Sequence, residues 1–179
     1  MKKIYLIRHC RAYGQAETAD LTEEGKLQAK ELAEALKPKD IQYIVSSPYV
    51  RAMETIAPFA TEAGIPVVAD ERLIERILAD EPLDDWYERL KATFTDLNLS
   101  YPGGESSQEA MSRGVAVIES IMGRTESSAA VVTHGCLLAL ILKHFNQDLG
   151  FADWEKLTNP DVYELNIEGR KVNIKRLLH

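Results

Sequence analysis

Three short, unbroken apolar stretches stand out along the chain: Ile4-Tyr5-Leu6-Ile7, Ile41-Gln42-Tyr43-Ile44-Val45 and Ala129-Ala130-Val131-Val132-Thr133. Runs of this length, apolar at odd and even positions alike, fit strands covered on both faces, as in a parallel sheet. Between the first two, Ala29, Leu32, Ala33 and Leu36 recur at helical spacing. They follow Thr22, whose hydroxyl can cap, and Glu23 and Glu24, which suit the positive end of a helix dipole. A helix is therefore predicted over Thr22 to Leu36, stopped by Pro38. Further helices are expected after Ser47-Pro48, over Leu83 to Leu97, over Ser106 to Met122 and over about Leu137 to Phe145, with an extra strand at Pro66-Val67-Val68-Ala69. Val162 to Ile167 and Val172 to Leu177 alternate around Glu168-Gly169-Arg170, which predicts a hairpin.

Strands alternating with helices predict an α/β domain with a mostly parallel sheet, helices on both sides and one antiparallel edge. The stretch from about 72 to 105 departs from that alternation. It reads as an insertion over one end of the sheet, a candidate lid, within a single domain spanning 1–179. The 179 residues suit one domain. A hydrophobic share of 45% with 27% charged residues excludes disordered, collagenous and coiled-coil chains. The net charge of -7 argues against nucleic acid or an anionic membrane as partner unless basic groups are concentrated in one place. No apolar run approaches the roughly 20 residues of a membrane span. The N-terminal apolar stretch ends at Arg8, short of a signal peptide. Two cysteines, Cys10 and Cys136, fit a reducing compartment, so the expected location is cytoplasmic.

In open parallel sheets, ligands gather at the carboxyl ends of the strands. The first strand ends in Arg8-His9, the second runs into Ser46-Ser47-Pro48 with Arg51 in the next helical turn, and the last ends in Thr133-His134-Gly135. Two imidazoles and two guanidiniums thus converge in an acidic protein. Guanidinium holds phosphate oxygens in pairs, and a helix start nearby adds amide donors, so the expected ligand is a phosphoryl group.

Arg8-His9-Cys10, the run from Ser46 to Thr55, Pro102-Gly103-Gly104-Glu105-Ser106 and Thr133-His134-Gly135 together resemble the histidine phosphatase superfamily, the phosphoglycerate-mutase-like group. Leu21-Thr22-Glu23-Glu24-Gly25 and Gln28-Ala29 extend the likeness. The resemblance implies a three-layer α/β/α sandwich and a metal-independent phosphatase, with no cofactor, acting on a small phosphorylated metabolite. In that scheme His9 is the nucleophile that becomes a phosphohistidine, while Arg8, Arg51 and His134 form the phosphate pocket. Glu75, in Leu73-Ile74-Glu75, matches the acid that protonates the leaving group, and Gln15 and Gly135 are assigned to substrate binding. Cys10 stands where the family usually has glycine, Ala12 replaces a frequent Thr or Ser, and Gln15 a common Asn.

Competing functions are a phosphoglycerate mutase and a phosphate-binding regulatory module with little turnover. Arg51 with Glu54 also fits an exposed helical ion pair. His144 and His179 read as solvated, and Arg11 as a substrate contact or a plain surface residue. The cysteines fit three readings: buried packing groups, a redox pair, or a Cys2His2 zinc site. Substrate identity is expected to lie between Ile77 and Ser107, where Asp80, Glu81, Asp84 and Asp85 disfavour a highly phosphorylated ligand. Oligomeric state is not legible.

Overall fold

The computed structural model describes residues 1–178; His179 lies outside them. Six strands form one sheet: β1 (Lys2–Arg8), β2 (Tyr43–Ser46), β3 (Val67–Ala69), β4 (Ser128–Thr133), β5 (Asp161–Glu168) and β6 (Lys171–Leu178), in the order β3-β2-β4-β1-β5-β6. The first four are mutually parallel, while β5 runs antiparallel to β1 and β6 antiparallel to β5, so one edge is an antiparallel hairpin as expected. Gly169, at φ 60°, supplies the left-handed residue that its tight turn requires.

Alternation along β1 explains the layers. Ile4 and Leu6 join one apolar cluster, Tyr5 and Ile7 the other, because successive side chains leave a strand on opposite faces. The helices are α1 (Glu23–Leu36), α2 (Val50–Ala63), α3 (Trp86–Thr95), α4 (Ser107–Met122), α5 (Gly135–Phe145) and α6 (Phe151–Glu155). α1 and α2 cover the Tyr5 face through Leu32, Leu36, Ile56 and Phe59; α3, α4 and α5 cover the Ile4 face through Phe94, Ile118 and Leu138. Each fully buried Leu, Ile or Phe contributes about 1.5–3 kcal/mol. The three-layer α/β/α architecture follows from these two burials.

Thr22 caps α1 by accepting the Gly25 N–H, and Pro38 does not end the helix outright but lies in a 3-10 turn, Lys37–Lys39, that continues it. α5 begins at Gly135, two residues earlier than its periodicity suggests, and α6 was not expected at all. Within the 72–105 stretch, α3 buries Leu90 and Phe94 in the main core. Among the described residues no helix is long and apolar enough to cross a membrane.

Candidate active site

The three central strands, β2, β4 and β1, are neighbours, so their carboxyl ends deliver Ser46-Ser47, Thr133-His134 and Arg8-His9 side by side. Pairing persists beyond the strands: His9 N–H donates to the Thr133 carbonyl at 3.1 Å and Ser47 N–H to that of Val132 at 2.9 Å. The two imidazole rings meet edge to face, with centroids 5.1 Å apart.

His9 is buried and its tautomer is fixed by its partners. Nδ1 lies 2.7 Å from the Cys10 carbonyl, which can only accept, so Nδ1 carries the proton. Nε2 then presents a lone pair, and it accepts from Arg51 Nε at 3.3 Å. The Cys10 amide is itself held by Thr55 Oγ1 at 2.8 Å, and Asn159 Nδ2 donates to the His9 carbonyl at 3.0 Å. Burial, with Arg51 and Arg8 adding repulsion, pushes the His9 pKa down to about 4, although the Cys10 hydrogen bond opposes the shift. The ring is neutral at pH 7.

His134 is fully buried. Burial, then the neighbouring His9 and arginines, lower its pKa to about 2. Its Nε2 sits 2.8 Å from Ser47 Oγ. That hydroxyl also accepts the Tyr49 N–H. His134 Nδ1 and Arg8 Nε are buried and find no hydrogen-bond partner among the described residues. Unpaired buried polar atoms are costly, so two of them in one site, one of them a guanidinium donor, mark a place for a ligand with an acceptor.

Arg51 is 1% exposed despite its position in the first turn of α2; its Nη1 donates to the Ala16 and Gln15 carbonyls, and Glu54 instead accepts from the Leu21 amide. The exposed Arg51–Glu54 pair is thereby replaced by a buried cation and a loop tie. Arg8 reaches the Leu157 and Thr158 carbonyls, and Gly135 packs against it: a Cβ there would lie 2.9 Å from Arg8 Nε. Burial lowers the pKa of both arginines, opposed chiefly by the Glu75 carboxylate. Glu75 accepts from the amides of Cys136 at 3.0 Å, Leu137 at 2.9 Å and Arg76 at 2.7 Å, so it sits on the positive end of α5.

A cleft of about 540 Å³ opens on this cluster, lined by Arg8, His9, Gln15, Glu75 and, from the rim, Arg11, Gln28, Thr158 and Asn159. A larger cavity, about 720 Å³ between α1 and α2, holds no such convergence of imidazole and guanidinium. The rim of this cleft is supplied by the loop after β1, by α1 and by the segment before β5. All seven residues singled out in the sequence come together. Ser47, Tyr49, Thr158 and Asn159 were missed: Tyr49 packs edge to face on His134, with the Arg51 guanidinium 5.2 Å from its ring centre. A serine and an Asn-Pro turn directly beyond or before a strand are the signals that point to Ser47 and Asn159.

Cys10 packs with Leu21 and Ala29, whereas Cys136 belongs to the main core. Burial raises both thiols, Cys10 to about 12, which makes them weak nucleophiles and supports the packing reading over a redox pair. Among the described residues no group of three or more His, Cys, Asp or Glu is placed to hold a metal ion. His144 is exposed.

The chain is similar to several known proteins in sequence and fold. A probable phosphatase of Schizosaccharomyces pombe is 30% identical over 164 residues, covering 83% of this chain and 76% of its own. A probable phosphoglycerate mutase GpmB of Shigella dysenteriae is 30% identical over 164 residues, covering 79% and 75%. The mycobacterial glucosyl-3-phosphoglycerate phosphatase, solved with inorganic phosphate, superposes with a TM-score of 0.80 at 25% identity over 99% of this chain and 96% of that one. The family model for the histidine phosphatase superfamily (branch 1) matches residues 4–178, and the chain belongs to that superfamily.

Proposed function

We propose that the protein is a metal-independent phosphomonoesterase that hydrolyses a small, singly phosphorylated metabolite through a phosphohistidine on His9. The observation that carries this reading is the state of His9: a neutral ring, proton on Nδ1, lone pair on Nε2, next to the buried Arg51, the half-buried Arg8 and a second imidazole. As Nε2 bonds to phosphorus, the ester P–O bond breaks and the ring gains positive charge, which the Nδ1–H bond to the Cys10 carbonyl stabilises. Arg8, Arg51 and His134 receive the phosphoryl oxygens, a fixed array of donors that needs no reorganisation as charge shifts. Glu75 gives a proton to the leaving oxygen. It then takes one from water, whose oxygen bonds to phosphorus as the N–P bond breaks, releasing inorganic phosphate and neutral His9. The net charge of -7, with the acidic stretch from Asp80 to Asp85, repels a multiply phosphorylated ligand more than a singly phosphorylated one.

Phosphate release from p-nitrophenyl phosphate and from a panel of phosphorylated metabolites, with EDTA present, tests the reading; His9→Ala must abolish it. Binding of phosphate without any release is the outcome of a regulatory module. The GpmB relatives favour a second reading, and 3-phosphoglycerate with the bisphosphate separates it: 2-phosphoglycerate means mutase, free phosphate means phosphatase. For the acid role, kcat/KM is the measure, because it reports steps only up to leaving-group departure. Glu75→Gln is expected to cost about 10²–10⁴ on an alkyl phosphate and far less on the aryl ester, whose leaving group needs no proton.

A further inference from the structure

The motif Pro102-Gly103-Gly104-Glu105-Ser106 has no part in the chemistry above, yet it is built tightly. Gly103 adopts φ 72° and a Cβ there would fall 2.2 Å from that of Asp80; a Cβ on Gly104 would lie 2.0 Å from the Leu78 carbonyl oxygen. Only glycines let the 101–104 turn lie so close to the segment after Glu75. Hydrogen bonds from Asp80 N–H to the Pro102 carbonyl, at 3.1 Å, and from Glu105 N–H to the Ile77 carbonyl, at 2.8 Å, fasten the two strands of chain together. Ser106 then caps α4 by accepting the Glu109 N–H.

Glu105 is placed by this turn to meet Arg113, one full helical stretch along α4. Arg113 Nε and Nη2 grip the two carboxylate oxygens at 2.9 and 2.7 Å. Its remaining donors go to backbone: Nη1 to the Arg72 and Ile74 carbonyls, both at 2.8 Å, and Nη2 to that of Glu75 at 3.2 Å. All five guanidinium N–H groups are therefore committed, three of them to the short segment that ends in Glu75. Glu105 Oε2 also accepts the Ile77 N–H at 2.9 Å, so the pair holds the chain on both sides of Glu75. Burial works against ionisation of Glu105, but the Arg113 hydrogen bonds, the Ile77 amide and Arg76 outweigh it and keep its carboxyl below the ordinary value. A side chain placed only for solubility would not be bonded at every donor.

We infer that Arg113 and Glu105 are positioning residues for the leaving-group acid: they fix the backbone of residues 72–77 so that the Glu75 carboxyl stands between the amides of α5 and the ester oxygen in the cleft. The pair touches no substrate and acts only through Glu75. This rests on the acid role given to Glu75 above. A planar fork with five donors is what the task requires, and lysine, with three rotating donors, cannot reproduce it.

The test compares wild type, Glu75→Gln, Arg113→Gln, Arg113→Lys, Glu105→Gln and the double variant Glu75→Gln/Arg113→Gln, with kcat/KM on an alkyl phosphate and on p-nitrophenyl phosphate. A displacement near 1 Å costs on the order of 10²-fold in a positioned group, so Arg113→Gln is expected to lose at least about tenfold on the alkyl ester and under about threefold on the aryl one. Arg113→Lys should behave like Arg113→Gln. In the Glu75→Gln background, Arg113→Gln should add almost no further alkyl loss, since the acid it serves is gone. Glu105→Gln keeps the shape of the side chain and repeats the readout should Arg113→Gln fail to fold. Equal losses on both esters, or alkyl losses that multiply in the double variant, overturn the inference while leaving Glu75 in place. Equal losses for Glu75→Gln alone remove the acid role, and the positioning role with it.

Discussion

Lowering the pH from 7.5 to 5 should destabilise the fold through His9 and His134 in a way that can be counted. Both rings are held neutral, with pKa values of about 4 and about 2, against about 6.5 in an unfolded chain. Between pH 6.5 and 4 the unfolded state thus binds protons that the folded state refuses, and stability falls as pH falls through that window. At pH 5 the unfolded ring is 1.5 units below its pKa; at 1.36 kcal/mol per unit each histidine contributes about 2 kcal/mol of lost stability. Together they remove about 4 kcal/mol, a large part of the 5–15 kcal/mol typical of a domain. Urea unfolding at pH 7.5 and 5 measures the loss, which other groups also affect, so the comparison is with His9→Asn and His134→Asn. Each variant should lose about 2 kcal/mol less than wild type over the same interval, because asparagine has no proton to refuse. If both variants show the wild-type pH dependence, the rings are not held neutral, and the argument that His9 is a ready nucleophile at pH 7 fails with them.

Three further outcomes are expected. Gly135→Ala places a Cβ 2.9 Å from Arg8 Nε, so inhibition by inorganic phosphate should weaken about tenfold or more while the melting temperature changes little. Thr55→Val removes the acceptor of the buried Cys10 amide and should cost about 1–3 kcal/mol in urea unfolding, with a fall in kcat as His9 loses its support. Gly104→Ala drives a Cβ into the Leu78 carbonyl oxygen and should lower stability by more than about 2 kcal/mol by thermal melting; an unchanged melting temperature would contradict the close approach.

The parts of the fold that were legible from sequence are those whose burial is written in periodicity. β1, β2 and β4 are apolar at both parities because helices cover both faces, and the site residues sit where strand order forces their ends together. The five residues of α6 are too short to show a period, and its Phe151 and Trp154 contribute through an aromatic cluster with Tyr87 and Phe94 that only tertiary contact creates. Arg8, His9, Arg51 and His134 were visible as charge and imidazole out of place in an acidic chain. Asn159 was not, because its contribution is a single amide hydrogen bond to the His9 carbonyl from 150 positions away. Substrate contacts were sought after Ile77 because that segment breaks the alternation; the bond of Glu105 to the Ile77 amide and the grip of Arg113 on the Ile74 and Glu75 carbonyls could not be read there, because they depend on tertiary contact between the 72–77 segment and α4.

β1 lies in the middle of the sheet, and the strands on either side of it come from residues 128–133 and 161–168. During synthesis at about 5–20 residues per second, this apolar first strand emerges from the ribosome on the order of ten seconds before either flank is available to pair with it. A chain cut short before β4 would therefore leave both edges of this apolar strand open to pairing with other chains, edges that the finished sheet covers with β4 and β5.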